Sequence, residues 1–152
     1  MSATIQLAAY RGVTTVFSTG IDALGSSTGK ALSAAIDNTP AAELGGDLFD
    51  DLELSVDFVT APTAGTVIEM YLLPSIDGGT TYPDGSSSIV PQSSLFVGGF
   101  AVRNTTALQI MVLRGVALPP GFFKYLIQNT TNQAFPATGS TLRRNPYQLR
   151  SE

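Results

Sequence analysis

The clearest pattern along the chain is an unbroken alternation from Leu52 to Phe58. Leu52, Leu54, Val56 and Phe58 fall on one side, and Glu53, Ser55 and Asp57 fall on the other. A period of two belongs to a half-buried β-strand, because successive side chains point to opposite faces. Thr60-Ala61-Pro62-Thr63-Ala64-Gly65 stops that strand and turns the chain. From Thr66 to Leu73 the apolar positions are nearly continuous: Val67, Ile68, Met70, Tyr71, Leu72 and Leu73, with Glu69 alone among them. Such a strand is covered over much of both faces, either inside a sandwich or by a neighbouring subunit. Together the two limbs, residues 51–74, predict an antiparallel hairpin at the centre of the fold.

Around this centre the periodicity predicts further short strands. They are Thr14 to Ser18, Lys30 to Ile36, Leu95 to Val102, Ala107 to Leu113, Phe122 to Gln128 and Ser140 to Tyr147. Arg114-Gly115 and Pro119-Pro120-Gly121 read as turns between them. Residues 75–94, with Asp77-Gly78-Gly79, Pro83-Asp84-Gly85 and three consecutive serines, read as one long surface loop. Loops of that length are functional or ordered by contacts. Residues 1–30 are rich in small polar residues with weak periodicity and read as an N-terminal arm lying on the domain or on a neighbour. Residues 31–152 then form the domain. Seven or eight short strands without helical periodicity predict an all-β, antiparallel β-sandwich of jelly-roll type.

Composition changes this picture in one respect. Of 152 residues 43% are hydrophobic but only 13% charged, about half the usual ~25%. So few charges leave a lone monomer short of solubilising surface and favour a subunit of an assembly. Eleven acids against two bases in residues 1–100 (−9) face one acid against six bases in residues 101–152 (+5). Either these are two solvated faces of one sandwich, or acidic and basic surfaces of neighbouring copies meet. The candidate contact residues are the apolar Val67, Ile68 and Met70, the acidic Asp50 and Asp51, and the basic end Arg143, Arg144 and Arg150.

Candidate chemistry is sparse. The chain has no Cys and no His, which removes thiolate and imidazole ligands and the commonest general base. Gly25-Ser26-Ser27-Thr28-Gly29 fits a nucleophile elbow, but no His is present to take the serine proton. Asp77 and Asp84 offer oxygen ligands to a cation, yet Asp-Gly pairs are ordinary turn formers. Adjacent Asp50 and Asp51 point apart on a strand and make no acid/base dyad. Tyr71, Tyr82, Phe96, Phe100, Phe122, Phe123 and Tyr125 suffice for a sugar-binding face, although aromatics at strand period are commonly core. These observations predict no catalytic residues, no cofactor and no metal. A sequence pI of about 4.6 argues against nucleic acid. No apolar run approaches the ~20 residues that span a bilayer, and no secretory signal is visible.

Two stretches carry a resemblance. One is Tyr71-Leu72-Leu73-Pro74-Ser75-Ile76-Asp77-Gly78-Gly79-Thr80-Thr81-Tyr82-Pro83-Asp84-Gly85. The other is Leu118-Pro119-Pro120-Gly121-Phe122-Phe123-Lys124-Tyr125-Leu126-Ile127-Gln128-Asn129, followed by Thr138 to Leu142 and Asn145-Pro146-Tyr147. Over residues 51–148 the chain resembles small β-sandwich structural proteins of tailed-phage virions, including capsid decoration or cement proteins. The resemblance implies a virion structural role on the external capsid surface, after assembly in the host cytoplasm. It also implies many copies, as homo-oligomers such as trimers, bound to the major capsid protein or other virion proteins. A neck, tail or head-fibre component and a carbohydrate-binding module are the alternatives.

Overall fold

The computed structural model describes residues 5–7, 10–39 and 46–151, with the strands at 5–7 and 149–151 described by their backbone alone. In chain order the strands are β1 (Ile5–Leu7), β2 (Thr14–Phe17), β3 (Gly29–Leu32), β4 (Ile36–Asn38), β5 (Phe49–Val56) and β6 (Val67–Pro74). They continue with β7 (Phe96–Ala101), β8 (Gln109–Ala117), β9 (Gly121–Asn129), β10 (Thr141–Tyr147) and β11 (Leu149–Ser151). One sheet has the order β2-β10-β5-β8, and the other β3-β9-β6-β7 with β4 also on β9. All pairings are antiparallel, and one set of them nests one inside another: β6 with β7, β5 with β8, β3 and β4 with β9, β2 with β10, and β1 with β11; β5–β10 and β6–β9 join the nested pairs into sheets. A long ribbon wrapped into two packed sheets is a jelly-roll sandwich, as the strand pattern predicts.

The alternation of β5 is realised in full, with Leu52, Leu54 and Val56 buried and Glu53 and Ser55 on the outer face. They meet Ile68, Met70 and Leu72 of β6, Phe123, Tyr125 and Ile127 of β9, and Leu142 of β10 in one core. The predicted hairpin, however, is not formed. β5 bonds to β10 and β8, whereas β6 bonds to β9 and β7 in the opposite sheet. The connection through Pro62 carries the chain across the sandwich instead of reversing it within one sheet. Both limbs are strands, but they face each other through side chains and not through backbone hydrogen bonds.

The expected arm also differs. Residues 1–4 and 8–9 lie outside the described residues, but from Thr14 onward the chain is part of the sandwich. β2 pairs with β10, β3 pairs with β9, and Phe17, Ile21 and Leu24 are buried in the core. Small polar neighbours mask these three apolar residues, whose spacing of four and then three does not follow the period of two that marks a strand. The division at residue 30 therefore does not separate two structural units.

Two irregularities are built into the sheets. Between Leu32↔Leu126 and Ile36↔Phe123, three residues of one strand oppose two of β9, so the single predicted strand from 30 to 36 splits at a bulge. Ser33 Oγ accepts the Tyr125 N–H there (2.9 Å) and donates to the Ala34 carbonyl (2.7 Å). The predicted turn at Arg114-Gly115 is likewise a bulge inside β8. Gly115, at φ +68°, takes the left-handed conformation that a side chain resists, and its N–H bonds Asp51 Oδ1 at 2.9 Å.

Candidate functional site

The two outer faces of the sandwich have opposite characters. Over the β9–β6 face folds the long loop at 75–94. Tyr82 and Leu95 pack on Tyr71, Leu73 and Leu126 in a second small core. Lys124 Nζ lies 4.2 Å from the centre of the Tyr82 ring, a cation–π contact on the same lid. Burial and the Glu69 carboxylate, which accepts the Tyr71 hydroxyl at 2.7 Å, push the Tyr71 phenol up to about 12. The cover that the apolar β6 demands is thus supplied by its own loop.

Asp77 organises that loop. Its carboxylate accepts from the Thr80 and Thr81 N–H groups (3.1 and 2.8 Å) and from the Ser75 and Thr81 hydroxyls (2.7 and 2.6 Å). These donors, the Thr81 hydroxyl foremost, hold it down at about 2. The carboxylate is satisfied by its own turn, which is the turn-former reading of the sequence.

The face made by β2, β10, β5 and β8 carries no such lid among the described residues. Arg143 and Glu53, directly opposed on neighbouring strands, form an ion pair. Arg11 Nε meets Asp47 Oδ1 at 2.5 Å, and the Tyr10 hydroxyl donates to Asp51 Oδ2 at 3.1 Å. Beside this charged row stand Leu108, Ile110 and Val112, each about half exposed. The latter two are outward-facing positions of β8, which ends the sheet. A depression of about 300 Å³ joins the two, lined by Tyr10, Val13, Asp51, Glu53, Val112 and Arg143.

Several of the expected contact residues are therefore occupied inside the molecule. Ile68 and Met70 are fully buried in the core and offer nothing to a neighbour; only Val67 keeps partial exposure. Asp50 and Arg144 face inward between the sheets, with Arg144 Nε 2.6 Å from Asp50 Oδ2. The Tyr125 hydroxyl donates to the same oxygen at 2.9 Å, and the guanidinium lies 5.5 Å from the centre of the Phe123 ring. Burial pushes the Asp50 carboxyl up to about 6 against the opposing pull of Arg144, Tyr125 and the Asn145 N–H. It also raises the Tyr125 phenol. The acidic and basic surfaces inferred from the charge asymmetry meet largely within one chain, as Asp50–Arg144 and Glu53–Arg143. The Arg150 side chain lies outside the described residues.

The aromatic residues do not form a platform. Phe100, Phe123 and Tyr125 are core, Tyr71 is under the loop, and Tyr82 is the loop residue that packs down on it. Phe96 alone of the seven is more than a third exposed, and it stands edge-on to Tyr71 at 5.6 Å. The stripe at 108–112 was readable from the alternation of Leu108, Ile110 and Val112 against Gln109 and Met111. What the alternation did not reveal was which set faces inward; Gln109 is the buried one, its side chain bonded to the Arg103 backbone N–H and carbonyl. No protein-family model matches the chain, and no curated protein resembles it significantly in sequence.

Proposed function

We propose that this protein is a non-enzymatic structural subunit of a virion, which attaches in many copies to the outside of a capsid shell. The observation that carries the reading is the asymmetry of the two faces. One sheet is sealed by the chain's own loop, and the other presents Ile110 and Val112 on a nine-residue edge strand, with Leu108 just before it. A long edge with apolar side chains is a liability for a free monomer and a natural contact for a shell. Burying the remaining exposed surface of three such side chains contributes on the order of 1 kcal/mol each. A contact that weak holds when it is repeated across a lattice. The charged row beside the stripe is internally neutralised and adds little net attraction, since exposed pairs contribute about 0.2–1 kcal/mol. The absence of His and Cys from the sequence supports the non-enzymatic reading.

The test is co-sedimentation of the purified chain with undecorated shells of the parent virus. Wild type should pellet with the shells. Ile110→Glu with Val112→Glu should remain in the supernatant while folding normally, because both positions face solvent. Arg143→Glu should bind much as wild type does. Shells that bind the double variant as well as wild type, or particles that never contain the chain, overturn the proposal.

A further inference from the structure

At the edge of the sandwich remote from β8, the sheets do not close. β2 pairs with β10 alone, and β3 and β4 pair with β9 alone, so each has a free edge among the described residues. A groove runs between these edges. Its upper part, about 410 Å³, is lined by residues including Val16, Phe17, Lys30, Leu32 and Ser33; its lower part, about 310 Å³, by Thr14, Thr15, Ala34, Ala35, Ile36 and Arg144. The two parts share Val16, Ser33 and Ala34 and so form one channel. The bulge at Ser33–Ala35 lies along it, with Ser33 still bonded to Tyr125 of β9 through its N–H and its hydroxyl, both at 2.9 Å.

The chemistry of the lining is one-sided. No acidic side chain lines either part, while a lysine stands in one and an arginine in the other. Arg144 is buried at 8% exposure, and its Nε is committed to Asp50. Its two Nη groups make no hydrogen bond within the described residues, although a guanidinium presents five donors in a planar fork. They keep contact with solvent, since neither belongs to the buried atoms left without a partner, and so stand open to an acceptor.

We propose that this groove receives an extended, acidic segment of another protein. The segment adds as a strand to the free edge of β2 and sets a carboxylate against the Nη groups of Arg144. Strand addition supplies main-chain hydrogen bonds, and alternate side chains then supply specificity. A carboxylate is the planar acceptor that fits an arginine fork. The donor is a different protein because this chain's own acids are largely engaged. Asp47, Asp50 and Glu53 pair with arginines, Asp22 accepts from the Ser140 N–H, Asp37 from Thr39, and Asp77 from its loop. The proposal stands apart from shell attachment, which uses β8 at the opposite end of its sheet.

A synthetic peptide alternating threonine with glutamate, and its glutamine counterpart, test this by calorimetry and by amide chemical shifts. The glutamate peptide should bind and shift residues 14–16 and 33–36. Its affinity should fall about tenfold for the glutamine peptide, as expected when a charge-assisted contact becomes a neutral one. Ala34→Glu and Lys30→Glu, both outside the core, should weaken it similarly without changing the thermal transition. Arg144 is a poor first variant, since its loss strands Asp50. Equal affinity for both peptides, no binding, or shifts on another face overturn the proposal. So does self-association of the wild type that Ala34→Glu abolishes, which would give the groove to a second copy.

Discussion

Asp50 and Arg144 occupy positions where a sandwich core would ordinarily hold two aliphatic side chains. A buried ion pair is weak evidence of net stabilisation, but breaking it leaves an uncompensated charge. Asp50→Ala is therefore expected to cost about 3–5 kcal/mol in urea denaturation, while the double change Asp50→Leu with Arg144→Met should recover most of that loss. The pair also sets a pH dependence. Asp50 titrates at about 6 when folded against an ordinary 3.8, so the folded state binds the proton more tightly. Its contribution is fully present below 3.8 and is lost as pH rises through about 6. Asp77 acts in the opposite sense, adding stability above 3.8 that is lost as pH falls through about 2. Urea midpoints between pH 3.8 and about 6 should thus decline with rising pH in the wild type, and Asp50→Asn should flatten that slope. An unchanged slope in the variant would assign it to other groups.

At the scale of elements, the lid over β6 and β9 gives the sharpest expectation. Tyr82→Ala removes the ring that packs on Leu73 and Leu126 and the surface under Lys124. A loss of about 2 kcal/mol is expected for a partly buried aromatic. For a domain of this size that lowers Tm by roughly 4–8 °C, with faster amide exchange confined to the loop and the outer side of β6. The strands themselves were legible in the sequence, because side-chain period is local and β5 needs only its own alternation to declare itself. Pairing was not legible. Nothing within residues 51–74 distinguishes a hairpin from an arch between sheets, since the deciding partners of β5, namely β8 and β10, lie more than fifty residues away. The candidate site was legible to the same degree. The stripe Leu108, Ile110 and Val112 is periodic, whereas the inward turn of Asp50 and Arg144 contradicts the rule that charges stay outside. The groove at β2 was invisible, because it is made by two edges that meet only in the fold.

For the whole molecule, the integration of the N-terminal third replaces the idea of a detachable arm. Phe17, Ile21 and Leu24 contribute to the main core, and β2 covers one edge of β10. Deleting residues 1–30 is expected to abolish cooperative unfolding and leave insoluble protein, as read by circular dichroism and yield. A truncated chain with a sharp thermal transition would show that the remaining strands are sufficient. The internal matching of acids and bases also bears on assembly. If the chain attaches to a shell as proposed, then with Arg143 held by Glu53 and Arg144 by Asp50 salt should release few copies, because an apolar contact is not screened. Occupancy measured from low salt to about 1 M, where the Debye length is ~3 Å, checks this; a steep loss would point to charged contacts instead.

The nesting of the strand pairs has a kinetic consequence. The innermost pair, β6 with β7, closes the shortest stretch of chain, and each pair outside it then spans a gap that the inner pairs have already shortened. Loop-closure entropy rises with length, so the ribbon is expected to zip outward from the 75–94 loop, with β2 joining β10 late. Substitutions at Ile68 or Phe100 should then slow refolding, whereas those at Phe17 or Leu142 should chiefly accelerate unfolding. Stopped-flow measurements on these four positions decide it, and a high φ-value at Phe17 would mean that the ribbon closes from its ends.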